Sequence, residues 1–263
     1  MQIPFFKYQG TGNDFVLIDN RKKTWLTRSD IALVKKMCDR KFGIGADGLI
    51  LLQEKKGLDF EMIYFNSDGN ESSMCGNGGR CIVSFAKHLG IIEDLCRFFA
   101  IDGEHQATIK NNNWVELKMS DVKTVKTAGD YFILNTGSPH CVVFVENLNA
   151  VDVVKKGRQI RNSKLFKKEG VNVDFVEPKN GNLHIATYER GVENETLSCG
   201  TGVTATALSN YLKHPQLPGT QVSIIAKGGQ LSVRFQPNGG GGFQDIWLCG
   251  PTEQVFEGSF TVR

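Results

Sequence analysis

The chain has 263 residues and a formal net charge of +3, and 40% of its residues are hydrophobic and 22% charged. This composition supplies enough apolar material for a globular core, and it excludes a nucleic-acid-binding protein built on dense basic runs. No apolar segment approaches the ~18 residues of a membrane span. Residues 1–7 lack the pattern of a signal peptide, so we expect a cytoplasmic protein.

The first half of the chain predicts strands separated by glycine turns and two helices. After Gly12 comes an apolar strand, and residues 30–40 predict an amphipathic helix with Ile31, Val34 and Cys38 on one face. The remaining elements of this half are, in chain order, the turn at Gly43 with its strand, a strand over residues 62–66, the segment Cys75-Gly76-Asn77-Gly78, a helix over residues 80–89 and strands at 106–109 and 114–117.

The second half repeats this order. Gly137 begins an apolar strand as Gly12 does, Gly170 matches Gly43, and the segment Cys199-Gly200-Thr201-Gly202 matches the first C-G-x-G segment. Because three anchors recur in the same order at similar spacing, we interpret the chain as one long duplication rather than a solenoid. The other predicted elements of this half are a weaker helix over 150–161, a strand over 184–188, a helix over 203–212 and strands at 230–235 and 245–248.

Strands outnumber helices and run as hairpins, which favours an α+β fold. We expect two pseudo-symmetric lobes of mainly antiparallel sheet, each wrapped around a central helix, with the active site in the cleft between them. The expected N-terminal lobe covers residues 1–123, with a strand over 253–263 returning to it. The expected C-terminal lobe covers residues 124–252.

The paired cysteines indicate proton transfer. A cysteine just before a helix lies near free backbone N–H groups and the positive helix end, which favours the thiolate and is expected to lower the thiol pKa. The same N–H groups can hold a carboxylate. Two such thiols, Cys75 and Cys199, could act on opposite faces of one α-carbon, as inversion of a stereocentre requires.

Other interpretations of these segments are weaker. Two structural cysteines would not be expected at matched positions of a duplication. A redox dithiol would favour the compact C-x-x-C spacing, and a metal site would need His140 and His184 at ligand spacing, so no metal is expected. A nucleotide site at residues 76–79 lacks the rest of its fingerprint.

The motifs of the chain resemble those of the diaminopimelate epimerase family, in the family's order and over almost the whole chain. They are Gly10-Thr11-Gly12-Asn13-Asp14-Phe15, Gly43-Ile44-Gly45-Ala46-Asp47-Gly48, residues 74–81, Gly137-Ser138-Pro139-His140, Glu189-Arg190-Gly191 and residues 198–202. The resemblance implies interconversion of LL- and meso-diaminopimelate on the route to lysine and peptidoglycan. It also implies that no cofactor is used, that the partner is this small molecule, and that the enzyme is a homodimer.

The resemblance further implies roles for individual residues. Cys75 and Cys199 would be the acid–base pair, and His140 and Glu189 would help to set their protonation. The residues implied to contact substrate are Gly76, Asn77, Gly200 and Thr201 through backbone N–H groups to the α-carboxylate, and Asn13, Asn66, Asn172, Glu189 and Arg190, of which Arg190 would grip the distal carboxylate.

The chain departs from the family pattern at three places, of which the first two affect distal-site contacts and none affects the cysteine pair. Ser138 stands where many members have asparagine, Gly48 stands where many have glutamine, and the loop over residues 189–199 is one residue longer. The alternatives are a proline racemase or hydroxyproline epimerase, and a thiol redox sensor. The racemases typically carry histidine at the position of Asn77, and their substrates have no distal head for Arg190.

Overall fold

The computed structural model describes residues 1–110, 112–215 and 219–262, and the chain divides into two compact units. The N-terminal unit comprises residues 1–117 together with the C-terminal segment that begins at Gly250, and the C-terminal unit comprises residues 118–249. Within the described ranges, no helix combines the length and the apolar character that crossing a bilayer requires.

In the N-terminal unit a mainly antiparallel sheet surrounds one helix. Its elements are β1 (Gln2–Gly10), β2 (Asn13–Asp19), α1 (Ile31–Cys38), β3 (Gly48–Gln53), β4 (Phe60–Asn66), α2 (Gly76–His88), β5 (Leu95–Ala100), β6 (Gly103–Ile109), β7 (Trp114–Lys118) and β17 (Glu253–Thr261). Two pairs are parallel, β2 with β3 and β4 with β5. The last strand pairs antiparallel with the first, and helix α2 contacts β1, β2, β3 and β6.

The C-terminal unit has the same plan. Its elements are β8 (Lys126–Ala128), β9 (Tyr131–Asn135), β10 (Pro139–Phe144), a 3-10 turn (Leu148–Ala150), α3 (Val153–Arg161), β11 (Asn172–Lys179), β12 (Asn182–Glu189), β13 (Asn194–Thr196), α4 (Gly200–Lys213), β14 (Gln221–Ala226), β15 (Gly229–Pro237) and β16 (Phe243–Pro251). The parallel pairs are β10 with β11 and β12 with β14. Helix α4 contacts β9 to β12, β14 and β15.

Strand register shows which positions of the two units are equivalent. Phe15 pairs with Gly48 as His140 pairs with Asn172, and Ile50 pairs with Tyr64 as Asp174 pairs with Thr187. The predicted duplication and the α+β fold of two similar lobes are therefore confirmed.

One predicted match is wrong. The alignment of Gly43 with Gly170 set Asp47 against Asp174, whereas the register places Asp174 at the position of Ile50, three residues further on.

The two central helices are buried over most of their length. Every residue of α2 from Gly76 to Ala86 is buried, and in α4 Gly200 and all residues from Gly202 to Ser209 are buried. Small residues make this possible: a Cβ on Gly79 would lie 2.8 Å from the Met74 sulfur. Helix α1 instead buries one face, and Ile31, predicted on that face, is exposed in its first turn.

Candidate functional site

Each cysteine of the C-G-x-G segments is the N-cap of a central helix, as predicted. Cys75 precedes α2 and Cys199 precedes α4, both with extended backbone. The Cys75 carbonyl accepts from the Gly79 N–H at 2.7 Å, and the Cys199 carbonyl accepts from the Val203 N–H at 2.9 Å. The first N–H groups of an α-helix are not used by the hydrogen bonds of the helix itself, so a helix start of this kind offers donors suited to an anion.

Cys75 is half-buried and belongs to a network of amide side chains in the N-terminal unit. Its Sγ donates to Asn13 Oδ1 at 3.6 Å, and Asn77 Nδ2 donates to the same oxygen at 3.2 Å. Asn13 Nδ2 in turn donates to Asp47 Oδ2 at 2.7 Å. Because a carboxylate can only accept, Asp47 fixes the orientation of the Asn13 amide and turns its oxygen toward the thiol.

A fully buried arginine holds the other end of this network. Arg80 Nη2 donates to Asn77 Oδ1 at 3.1 Å and to Thr11 Oγ1 at 3.2 Å, and Arg80 Nη1 donates to the Gly76 carbonyl at 3.3 Å. Since a guanidinium can only donate, Arg80 fixes the Asn77 amide with its nitrogen toward Asn13.

An ionic cluster includes Asp47, the hydrogen-bond partner of Asn13. Asp14 accepts from Lys7 at 2.7 Å and from Arg40 at 2.6 Å, and Arg40 also binds Asp47 at 2.8 Å. Burial alone would raise the pKa of Asp14, but the hydrogen bonds from Arg40 and Lys7 hold it well below the usual range of a carboxyl. The cluster ties the start of β2 to the start of β3.

Cys199 lies in a different environment in the C-terminal unit. It is only 8% exposed, and burial raises the pKa of its thiol well above the ordinary value. The carboxylates of Glu189 and Asp174 raise the pKa further, and the Thr201 hydroxyl and the Gly202 N–H oppose them. The expected lowering of the thiol pKa is therefore wrong for Cys199, because loss of solvation outweighs the helix end.

The Cys199 thiol is hydrogen-bonded to a buried His–Asp pair through one hydroxyl. Its Sγ lies 3.4 Å from Thr201 Oγ1, which lies 2.8 Å from His140 Nε2. His140 Nδ1 lies 2.7 Å from Asp174 Oδ2, and Thr187 Oγ1 donates to Asp174 Oδ1 at 2.7 Å. His140 and Asp174 are both fully buried.

Asn172 connects this pair to the predicted distal residues. Its Nδ2 donates to Ser138 Oγ at 2.9 Å and lies 3.3 Å from His140 Nε2, and its Oδ1 accepts from the Arg190 N–H at 2.8 Å. Ser138 thus accepts a hydrogen bond where many family members carry asparagine. Arg190 is exposed, and its Nη1 donates to the Glu169 carbonyl at 2.9 Å.

The remaining predicted residues lie at strand ends. Asn66 is exposed at the end of β4, and Glu189 ends β12 at the equivalent position. A Cβ on Gly48 would lie 2.6 Å from Tyr64 Cε2 and from the Phe65 carbonyl oxygen, so the surroundings of this position leave no room for a side chain such as glutamine. In the part of the chain that the structure describes, no group of three or more His, Cys, Asp or Glu side chains is arranged to hold a metal ion.

The structure therefore groups the predicted residues within each unit. It brings together Cys75, Asn13 and Asn77 in one, and Cys199, Thr201, His140 and Asn172 in the other. Sequence analysis assigned no role to Asp174 or Arg80. The available signal for Asp174 was an acid inside the apolar run over residues 171–176, at a spacing of two from Asn172 and so on the same strand face.

Solved structures with the same architecture define the class of fold. The chain superposes with a TM-score of 0.79 and 14% identity on a phenazine biosynthesis protein of the PhzF family from Bacillus anthracis, covering 100% of both chains. It superposes with a TM-score of 0.72 and 14% identity on a hydroxyproline epimerase from Agrobacterium vitis, covering 98% of this chain and 92% of that one. The fold is thus the two-lobe α+β fold found in these proteins.

Sequence comparison identifies the particular family. The family model described as diaminopimelate epimerase matches residues 5–125 and 132–245. The chain is 50% identical over 253 residues to a diaminopimelate epimerase of Flavobacterium psychrophilum, covering 96% of this chain and 98% of that protein. The chain belongs to the diaminopimelate epimerase family, and it is an isomerase.

Proposed function

We propose that this protein interconverts LL- and meso-diaminopimelate by moving a proton at one α-carbon, with Cys75 and Cys199 as the acid–base pair and without a cofactor. The observation that carries the proposal is the pair of cysteines at equivalent helix N-caps in a duplicated fold. Inversion removes a proton from one face and adds one to the other, so it needs one acid–base group for each face.

The helix N-termini bind the reacting head of the substrate. The N–H groups of Gly76 and Asn77 on α2, and of Gly200 and Thr201 on α4, donate to the α-carboxylate. Removal of the α-proton places more negative charge on this carboxylate as the carbanion delocalises. Donors that already point at it stabilise the transition state more than the ground state.

The distal head of diaminopimelate carries a second carboxylate and a second ammonium group. Arg190 binds the carboxylate with its planar fork, and the oxygens of Asn13, Asn66 and Asn172 are candidates for the ammonium. Asn13 and Asn172 already make hydrogen bonds within the protein, so their direct contact with substrate stays a prediction. The cytoplasmic location and the homodimer also stay predictions.

Isotope exchange tests the proposed reaction. The enzyme should incorporate solvent deuterium at the α-position of diaminopimelate in D₂O with no added cofactor, as measured by mass spectrometry. Proline is the control substrate, because the related racemases act on a ring without a distal head. Exchange into proline but not diaminopimelate would favour that alternative, and exchange into neither would favour a redox sensor.

Single cysteine variants test the assignment of the pair. Cys75→Ala and Cys199→Ala should each lower epimerisation by at least about 10³-fold, since each removes the acid–base group for one face. The remaining thiol can still remove and return a proton on its own face. Any residual exchange should therefore be confined to one stereoisomer, a different one in each variant. Substantial inversion by either variant would contradict the two-thiol scheme.

A further inference from the structure

The hydrogen-bonded chain that begins at Cys199 has a defined direction. Asp174 can only accept, and its two oxygens receive the Thr187 hydroxyl and the His140 Nδ1 proton. With its proton on Nδ1, His140 presents one lone pair at Nε2. The Thr201 hydroxyl lies 2.8 Å from this atom and the Asn172 amide nitrogen 3.3 Å from it, so the hydroxyl is the closer donor. The Thr201 oxygen then has a lone pair facing the Cys199 thiol, 3.4 Å away.

We propose that Asp174 is a positioning residue that, through His140 and the Thr201 hydroxyl, gives Cys199 an internal proton acceptor. The Cys199 thiol passes its proton to Thr201 Oγ1 while the Thr201 hydroxyl passes its own to His140 Nε2. The products are a Cys199 thiolate and a His140 imidazolium, and Asp174 remains an ionised carboxylate beside the new cation. The reverse transfer returns the proton when Cys199 acts as the acid.

The energetics of the site explain why Cys199 needs such an acceptor. Burial and two nearby carboxylates keep the thiol protonated at neutral pH, so a thiolate forms only if its charge is compensated internally. A buried imidazolium next to a buried carboxylate supplies this compensation, because the carboxylate stabilises the cation and holds the ring in one tautomer.

The N-terminal unit shows that the fold does not require the pair. At the positions equivalent to His140 and Asp174 it has Phe15 and Ile50, which are fully buried apolar side chains. Both units nevertheless arrange equivalent strands around an equivalent central helix, α2 in one and α4 in the other. A buried charge pair that the duplicated scaffold can replace with hydrocarbon is better explained by chemistry at Cys199 than by folding.

The glycine pattern supports the same conclusion. A Cβ on Gly202 would lie 2.4 Å from Asp174 Oδ1 and 3.2 Å from His140 Cε1. The second glycine of this C-G-x-G segment therefore leaves room for the His–Asp pair directly beneath the helix start. Gly202 is therefore needed to accommodate the His–Asp pair, which is a separate requirement from allowing a substrate to approach the backbone.

The inference rests on the proposed function, but its first test requires no substrate. Full-length protein and variants are treated with iodoacetamide at about pH 7, and the alkylation rate of the Cys199 peptide is followed by mass spectrometry. If Asp174 acts only as a nearby negative charge, Asp174→Asn should make Cys199 ionise more readily and react faster. If it acts through His140, the imidazolium loses its support and Cys199 should react about tenfold more slowly. A faster rate overturns the proposal.

A matched pair of variants at Thr201 tests whether its hydroxyl takes part in the proton transfer. Thr201→Val removes the hydroxyl with little change of shape and keeps the backbone N–H, and it should slow Cys199 alkylation and lower kcat by about 10- to 100-fold with little change in KM. Thr201→Ser restores the hydroxyl and should recover most of the loss. Equal rates for the Val variant and the parent overturn the relay, and so does a Ser variant as impaired as the Val variant.

Electrostatics around the pair set the expected pH profile. Among the residues that the structure describes, titratable groups that interact with Asp174 or Cys199 include Glu189 on β12, Cys141 on β10 and His140 itself. Asp174→Asn should shift a limb of the kcat–pH profile, whereas simple loss of folded protein lowers the whole profile without shifting it. If the parent shows no epimerase activity while the alkylation results hold, the proposed function fails and the relay survives.

Discussion

Cys75 and Cys199 cap equivalent helices, but the side chains around them differ in chemistry. Cys75 is half-buried and faces the amide oxygen of Asn13, in a network anchored by Asp47 and Arg80. Cys199 is buried and faces the Thr201 hydroxyl, which leads to a buried histidine and carboxylate. The duplicated scaffold thus gives the same position to both thiols and leaves their protonation to neighbours that have diverged.

This difference suits a reaction between two unlike stereoisomers. Both thiols lie at a helix N-terminus, but Cys75 is half-buried, whereas Cys199 is withdrawn from water and depends on internal groups. Under the proposed two-thiol scheme, divergence after duplication has kept the helix N-termini that both faces of the substrate need and has changed the groups that accept the proton on each face.

The largest difference between the units should appear at the second glycine of each C-G-x-G segment. Gly202→Ala directs a methyl group at Asp174 and should lower kcat by about 100-fold or more. Gly78→Ala, its equivalent, directs a methyl group at apolar side-chain atoms, Ile50 Cδ1 at 3.2 Å and Phe15 Cε1 at 3.4 Å, and should lower kcat only a few-fold. Initial rates and thermal unfolding of both variants check this. Equal losses in both would mean that the turns, not the groups beneath them, explain the glycines.

A smaller effect is expected from Asn13, whose oxygen accepts the Cys75 S–H and so stabilises the protonated thiol. Asn13→Ala should raise the iodoacetamide reactivity of Cys75 by about three- to tenfold and leave that of Cys199 unchanged. Ser138→Ala at the equivalent position is the control, because Ser138 contacts Asn172 rather than a thiol. A change at Cys199 in the Asn13 variant would show that the two environments are not independent.

Sequence patterns were sufficient for the duplication and for the cysteine positions. Both predictions depend on local sequence features, namely glycine turns and a cysteine before a helical run. Such features can be recognised without knowledge of the tertiary structure. The pairing of Asp174 with His140 could not be predicted in this way. It depends on strand register, and matching Gly43 to Gly170 misplaced that register by three residues.

The raised pKa of the Cys199 thiol also could not be predicted from the sequence. The helix end that favours the thiolate is a local feature, but the burial that outweighs it results from the whole C-terminal unit folding around α4. Likewise, Ile31 has the spacing of the apolar face of α1, but as the first residue of the helix it is exposed. In both cases the local pattern is present, but the tertiary environment has the larger effect on the pKa of Cys199 and on the exposure of Ile31.

The last predicted effect concerns stability and is specific to the N-terminal unit. Asp14 joins Lys7 and Arg40 behind Asn13, whereas the equivalent position in the C-terminal unit is Pro139, which has no charge. Asp14→Asn should lower the free energy of unfolding in urea at neutral pH by about 1–3 kcal/mol, since hydrogen bonds to a charged group are lost. Asp94→Asn, which removes an exposed ion pair with Lys87, is the control and should cost about 0–1 kcal/mol.

The pH dependence gives this prediction its sign. The folded pKa of Asp14 lies below its ordinary value of 3.8, so the unfolded state binds the proton more readily. The stabilisation is therefore fully present above about pH 5 and declines as the pH falls through 3.8 toward the folded pKa. The difference between parent and Asp14→Asn should shrink in urea titrations at about pH 3. A difference that persists undiminished in acid would mean that the amide substitution acts through packing rather than through the lost charge.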